Sequence, residues 1–247
     1  MLFEYLLRLA DDRLVLGHRV SEWCGHGPIL EEDIALANIA LDLIGQATLF
    51  LKLAGEAEGK GRSEDDLAYF REAVEYRNLQ IVEFPKGDYA FTIVRQFLFD
   101  VYSYHVLEQL QKSSHPEIAG IAAKGFKEVR YHVRHSSEWV LRLGDGTAES
   151  HGRAQKALND LWRFTGEMFT VDEVEREMAA AGIGTDLAAL EPRWNGVVTD
   201  VLNRATLAIP GDPPAMTGGR RGIHTEHLGR MLSEMQIVAR SHPGASW

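Results

Sequence analysis

The sequence predicts an all-α chain, on three observations. Apolar residues recur with a period of about 3.6, no run alternates as a half-buried strand would, and the periodic segments are parted by Gly and Pro breaks. A first helix runs from about Leu2 to Trp23 and stops at Gly25, Gly27 and Pro28. A second opens with Glu31, Glu32 and Asp33, acids suited to the positive end of a helix dipole, and ends near Gly55. A long passage from Glu56 to Gly87 follows, in which the capping box Ser63-Glu64-Asp65-Asp66 predicts a helix to about Val82. A third long helix follows Asp88 as N-cap and reaches about Lys112. A fourth starts at Pro116, a favoured first-turn residue, and stops at Gly144-Asp145-Gly146. Short first and third links with a long second one give the connectivity of a ferritin-like four-helix bundle with one long crossover.

Additional C-terminal helices are predicted from about Arg153 to Phe169, from the box Thr170-Val171-Asp172-Glu173 to Ala181, from Pro192 to Leu207, and from Thr225 to Arg240. Gly182-Ile183-Gly184 breaks the second from the third, and the Pro/Gly loop Ile209 to Gly222 precedes the last. No linker or internal repeat divides the chain, so residues 1–247 read as one domain, with the core bundle at about 1–146 and the C-terminal helices at about 151–241.

The composition, 45% hydrophobic and 25% charged, is that of an ordinary globular protein. A net charge of −10 argues against a nucleic-acid partner. The single cysteine, Cys24, excludes an internal disulfide framework and any thiolate metal cage, and it reads as a small buried thiol at a helix end. Met1 to Tyr5 show no basic export signal, so the expected setting is the cytoplasm. Ile34 to Ala54 is long enough to span a bilayer, but Asn38, Asp42 and Gln46 recur at i, i+4, i+8, and an aspartate at mid-span is costly in lipid. The expectation is a helix buried in protein, with one polar stripe and no membrane.

Carboxylate-bridged di-iron bundles use a Glu on each of two helices and Glu-x-x-His on the other two, because i and i+3 side chains project together. Asp11 or Asp12, Asp42, Asp100 and Glu128 stand at similar depth in the four long helices. Yet no Glu or Asp has a His three residues on: Asp42 has Gly45 there and Glu128 has Tyr131, while His132 lies about 100° further round. These acids are therefore expected to be degenerate metal positions paired with basic or aromatic side chains, with His18, Arg95, His105, His132 and His135 available, and no metal in this chain. His132-x-x-His135 and His224-x-x-His227 read as hydrogen-bonded histidines. Gly218-Gly219-Arg220-Arg221-Gly222 is suited to a phosphate, with a solvated loop as the alternative. Glu22-Trp23-Cys24-Gly25-His26 lacks a second motif for nucleophilic catalysis.

Four runs, Ser21 to Ala47, Lys127 to Thr147, Leu161 to Phe169 and Thr217 to Gln236, resemble the C subunits of bacterial phenylacetyl-CoA epoxidases, and the likeness extends over essentially the whole chain. The resemblance implies a ferritin-like, non-catalytic structural subunit. In such an enzyme a di-iron A subunit turns phenylacetyl-CoA into the ring-1,2-epoxide with O2, the oxygenase is completed by a small B subunit, and a flavin/iron–sulfur reductase supplies electrons. The resemblance also implies that two segments lie near bound substrate, here Glu75, Tyr76, Arg77 and Asn78, and Arg176, Glu177 and Met178. The first reads EYRN, where the resemblance implies a more neutral run, and its arginine is suited to a CoA phosphate or, equally, to an ordinary place on the surface. The expectation is thus a scaffold with no cofactor of its own and no catalytic residue, contacting the A subunit through its first two helices. Its rivals are a self-sufficient di-metal oxidase using Asp11, Asp42, Asp100 and Glu128, and a CoA-ester binding module.

Overall fold

The computed structural model describes residues 1–211 and 214–245, so Asp212 and Pro213 of the Ile209–Gly222 loop lie outside it. Helices α1 (Leu2–Ser21) and α2 (Leu30–Glu58) form one antiparallel pair, and α4 (Tyr89–Leu110) and α5 (Pro116–Gly144) the other. Between them runs the crossover, with α3 (Glu64–Tyr69) and the 3₁₀ turns Ala73–Glu75 and Gln80–Glu83. Four long helices joined in this way form a ferritin-like bundle, and among the described residues there is no strand. Its core is one continuous cluster that includes Leu16, Leu36, Ile39, Phe50, Phe97 and Leu161.

The crossover departs from the helix predicted to Val82. Ser63 caps α3 as expected, its Oγ accepting from Asp66 N–H while the Asp66 carboxylate accepts from Ser63 N–H, but the helix ends at Tyr69. Beyond it Arg71 donates to the carbonyls of Leu67 and Glu75 and to Asp11, so a buried side chain satisfies backbone that a helix would have bonded to itself.

The C-terminal helices wrap the bundle. α6 (Ala148–Trp162) and α8 (Leu187–Arg204) lie on α4 and α5, α7 (Glu173–Ala180) packs on α1, and α9 (Glu226–Ser241) packs on α3 and the turn after it. Three of their starts differ from those predicted. α6 begins at a Thr147–Ser150 capping box, α7 takes Asp172 rather than Thr170 as N-cap, and α8 begins at Asp186, whose Oδ1 accepts from Ala189 N–H. Pro192 therefore sits in the second turn of α8, where it costs a single backbone bond. The predicted Arg153–Phe169 helix ends at Trp162, and Thr165–Phe169 follows as a 3₁₀ turn.

This wrapping leaves the outer face of α2 open. Leu30, Ile34 and Leu41 are 72%, 52% and 67% exposed and fall within about 40° of one another around the helix. α2 is long and apolar enough to cross a membrane, but half of its most apolar stretch is inside the protein. The polar stripe expected on it spirals, because i+4 steps advance about 40° each. Asn38 is exposed, Asp42 is at the rim and Gln46 is buried. Cys24 corrects another expectation: it is exposed, in the turn after α1.

Candidate functional site

Three polar rungs cross the bundle interior where metal ligands would project. In the first, the buried Arg13 of α1 donates Nε–H to Gln46 Oε1 (2.9 Å), Nη1–H to the Leu9 carbonyl (2.7 Å) and Nη2–H to Ser103 Oγ (3.2 Å). Gln46 passes the connection on, its Nε2–H donating to Glu128 Oε2 at 2.8 Å. The guanidinium lies 5.3 Å from the Phe50 ring centre, and burial pushes its pKa down.

In the second rung Asp100 accepts from Gln96 Nε2–H (2.7 Å) and Ser136 Oγ–H (2.8 Å), while His132 Nε2 lies 3.0 Å from Asp42 Oδ2. Burial pushes the Asp100 carboxyl up to about 6, against the opposing pull of His132 and its two donors. In the third, Tyr89 Oη–H donates to Glu32 Oε2 at 2.7 Å and His135 Nε2 lies 2.8 Å from the same oxygen. His132 and His135 thus turn to different acids of α2 rather than to a shared point.

The four acids at matching depth do not converge. Asp11 faces the crossover, paired with Arg71 through two contacts of 2.5 and 2.9 Å and accepting from Arg77 N–H at 2.8 Å. Asp42 sits on His132 and Glu128 on Gln46, and among the described residues no three His, Cys, Asp or Glu side chains gather as a metal would need. A di-iron centre does not fit this donor set: a fixed guanidinium occupies the rung beside Glu128, and a fixed cation there opposes a second one. Of the other expected partners, Arg95 donates to the Phe84 carbonyl instead, and His105 lies 3.9 Å from Glu108.

A second buried polar centre joins α1 to the crossover and the C-terminal helices. Arg220, 13% exposed, grips both oxygens of Asp12 (3.0 and 2.8 Å) and donates to the Arg8 and Arg77 carbonyls. Arg8 in turn reaches Asp172 and Glu175 of α7. The Gly218–Gly222 loop is indeed an anion nest, but the anion is the protein's own: Glu167 accepts from Gly218 N–H and Gly219 N–H at 2.7 Å each and from Gln80 N–H at 2.8 Å. A Cβ at Gly219 would overlap the Asn78 carbonyl, and Gly222 stands at φ +77° against Val74. The loop is thus a clamp rather than a solvated segment. His224 belongs to it, with Nδ1 at 2.7 Å from Glu83 and Nε2 at 3.1 Å from the Tyr76 carbonyl; the ring of His227 lies against Phe84 instead.

The two segments implied by the resemblance both lie against α1, the first through Glu4 and Asp11, and α7 through Arg8. Tyr76 and Asn78 are fully buried: the Tyr76 hydroxyl donates to the Ala68 carbonyl and accepts from Gln236, and Asn78 donates to Glu83. Glu75 caps its own 3₁₀ turn, and Arg77 is held by Glu4 at 2.5 Å. On α7 Met178 is buried against Gly184, while Arg176 and Glu177 face solvent. Spacing did not single out Arg8, Arg13, Arg71 or Glu167. Charged residues set in the otherwise apolar α1 were the available signal, since a buried charge must be paired.

The fold and this interior define an all-α, ferritin-like bundle whose interior acids are engaged by the protein's own cations, amides and hydroxyls. The chain matches the family described as phenylacetic acid catabolic protein over residues 1–247, and it belongs to that family. It is 47% identical over 243 residues, 98% of each chain, to the Escherichia coli (strain K12) protein named as the C subunit of 1,2-phenylacetyl-CoA epoxidase.

Proposed function

We propose that this chain is the non-catalytic structural subunit of a phenylacetyl-CoA 1,2-epoxidase, binding a di-iron catalytic A subunit in aerobic phenylacetate degradation. The observation that carries this reading is the Arg13–Gln46–Glu128 rung, which ties α1, α2 and α5 together through a buried cation. The partner's di-iron centre, with O2 and electrons from a reductase, supplies the oxygen transfer. This chain's part is to hold the partner's helices in register, which matters because small displacements at a reacting centre cost large factors in rate.

The open face of α2 is the contact surface in this reading, because Leu30, Ile34 and Leu41 form an apolar stripe with no cover of its own. α1 is the weaker choice: most of its side chains are already buried within this chain, so the contact falls to α2. Substrate contact from this chain is confined to Glu75, Arg77, Arg176 and Glu177, since Tyr76, Asn78 and Met178 are buried in holding the fold.

Co-expression with the catalytic and small subunits, followed by copurification and an epoxidation assay with and without this chain, tests the proposal. Loss of turnover on omitting the chain is the expected result. About two irons in the chain purified alone, with O2 uptake, would instead make it an oxidase. Tight phenylacetyl-CoA binding by the chain alone would make it a binding module.

A further inference from the structure

The third rung has a chemistry that scaffolding does not require. Tyr89 lies between two indoles, edge-on to Trp23 at 5.7 Å and to Trp139 at 5.1 Å between ring centres. Its hydroxyl donates to Glu32, and His135 stands on the same carboxylate oxygen at 2.8 Å. Both indoles lie beneath cations: Lys86 Nζ is 4.9 Å from the Trp23 ring centre and the Arg142 guanidinium 5.2 Å from that of Trp139.

Removing an electron from an indole leaves a ring cation, and a neighbouring positive charge opposes that. Removing one from a phenol is easy only where a base takes the proton in the same event. The layout therefore disfavours both tryptophans as resting places for a hole and favours the tyrosine between them. From this geometry we infer that Tyr89 is a redox-active tyrosine, the site at which this chain yields an electron to a strong one-electron oxidant, with Glu32 as its proton acceptor.

The step balances within the chain. Tyr89 gives one electron to the oxidant, which is reduced by one, and its Oη–H proton passes to Glu32, leaving a neutral phenoxyl radical and a protonated carboxyl beside His135. A one-electron reductant and the returning proton restore the pair. Burial and the neighbouring Glu32 hold the phenol proton far above the usual range, so the group is a protonated phenol before oxidation and the proton must move with the electron. Tyr89 is itself only half-buried, so a soluble oxidant can draw its electron over a short distance with no hole forming on Trp139. The use of such a site, holding an oxidising equivalent that strays from an oxygen-activating partner, rests on the function proposed above; the chemistry itself does not.

The test uses the purified full-length chain alone, so its outcome is independent of any partner. Flash-generated tris(bipyridine)ruthenium(III) serves as oxidant, with a cobalt(III) ammine as terminal acceptor, and freeze-quench electron paramagnetic resonance reads the radical. A neutral tyrosyl signal is expected, unchanged by Tyr131→Phe, which removes the exposed phenol beside His135. Tyr89→Phe should abolish it. Glu32→Gln, which keeps Tyr89, should slow its formation about tenfold, the equivalent of losing one charge-assisted hydrogen bond. A signal that survives Tyr89→Phe, or a rate unmoved by Glu32→Gln, overturns the inference.

Discussion

Arg13 and Glu128 never touch, yet they are joined through one side chain: Gln46 accepts from the Arg13 guanidinium at 2.9 Å and donates to the Glu128 carboxylate at 2.8 Å. The amide can do this because it carries an acceptor and a donor at opposite sides. Arg13→Met keeps much of the volume but leaves Gln46 Oε1 and Ser103 Oγ without the guanidinium that donates to them. The expected loss is about 2–4 kcal/mol of unfolding free energy, read from urea denaturation. Gln46→Leu, which removes the acceptor of the buried Arg13 guanidinium and the donor to Glu128 together, should cost as much or more; a neutral result for both would mean the rung does not hold the helices.

Asp12 and Arg220 tie the start of the chain to a loop more than 200 residues later. Because both are almost sealed from water, Asp12→Asn leaves a buried guanidinium without its counter-charge and should cost about 3–5 kcal/mol. Replacing both partners with apolar residues should cost clearly less than either single change, since no charge is then stranded. A double-mutant cycle by chemical denaturation checks this.

Asp100 predicts a pH dependence of definite sign. Its folded pKa, about 6, lies above the ordinary value of 3.8, so the folded state binds this proton more tightly than the unfolded chain. The contribution is fully present below about pH 4 and is lost as the pH rises through 6, amounting to about 3 kcal/mol across that window. Asp100→Asn, neutral at every pH, should flatten that part of the stability curve and gain on the wild type above pH 7. Unfolding free energies at several pH values between 4 and 8 measure it.

The long helices were legible because each repeats one period over many turns and ends at Gly, Pro or a capping residue. The crossover was not: Arg71 and Asp11, 60 residues apart, decide that residues 70–88 leave the helix, and no local pattern records such a pair. The absence of any Glu-x-x-His pair was readable from spacing alone. What filled the interior was not, because Arg13 sits two residues from Asp11 but points to Gln46 while Asp11 points to the crossover. The glycine-rich loop read as suited to a phosphate, with a solvated loop as the alternative; sequence cannot show that Gly218 and Gly219 instead donate to the protein's own Glu167.

The two segments that lie against α1 separate by readout. Asn78→Ala removes a buried donor from Glu83 and should lower stability by about 1–3 kcal/mol. Arg176→Ala and Glu177→Ala, on the exposed face of α7, should leave the melting temperature within error. If that face meets the substrate, they raise KM for phenylacetyl-CoA in the reconstituted complex with little change in kcat. An unchanged KM for both removes α7 from the substrate's surroundings.

The open stripe on α2 yields the sharpest test of the assembly. Leu41 is 67% exposed at the middle of the helix, where Leu→Asp removes no packing within this chain and so should barely change its unfolding free energy. At a buried interface the same change strands a carboxylate against apolar surface, which costs several kcal/mol and should lower capture of the catalytic partner by at least about a hundredfold. Val197→Asp on α8, 37% exposed, serves as the control and should leave capture intact. The chain alone should also self-associate through this stripe, and Leu41→Asp should return it to a monomer in sedimentation velocity. Undiminished capture by the Leu41→Asp chain would move the contact to another face, because no interface centred on α2 could accept a charge at that position.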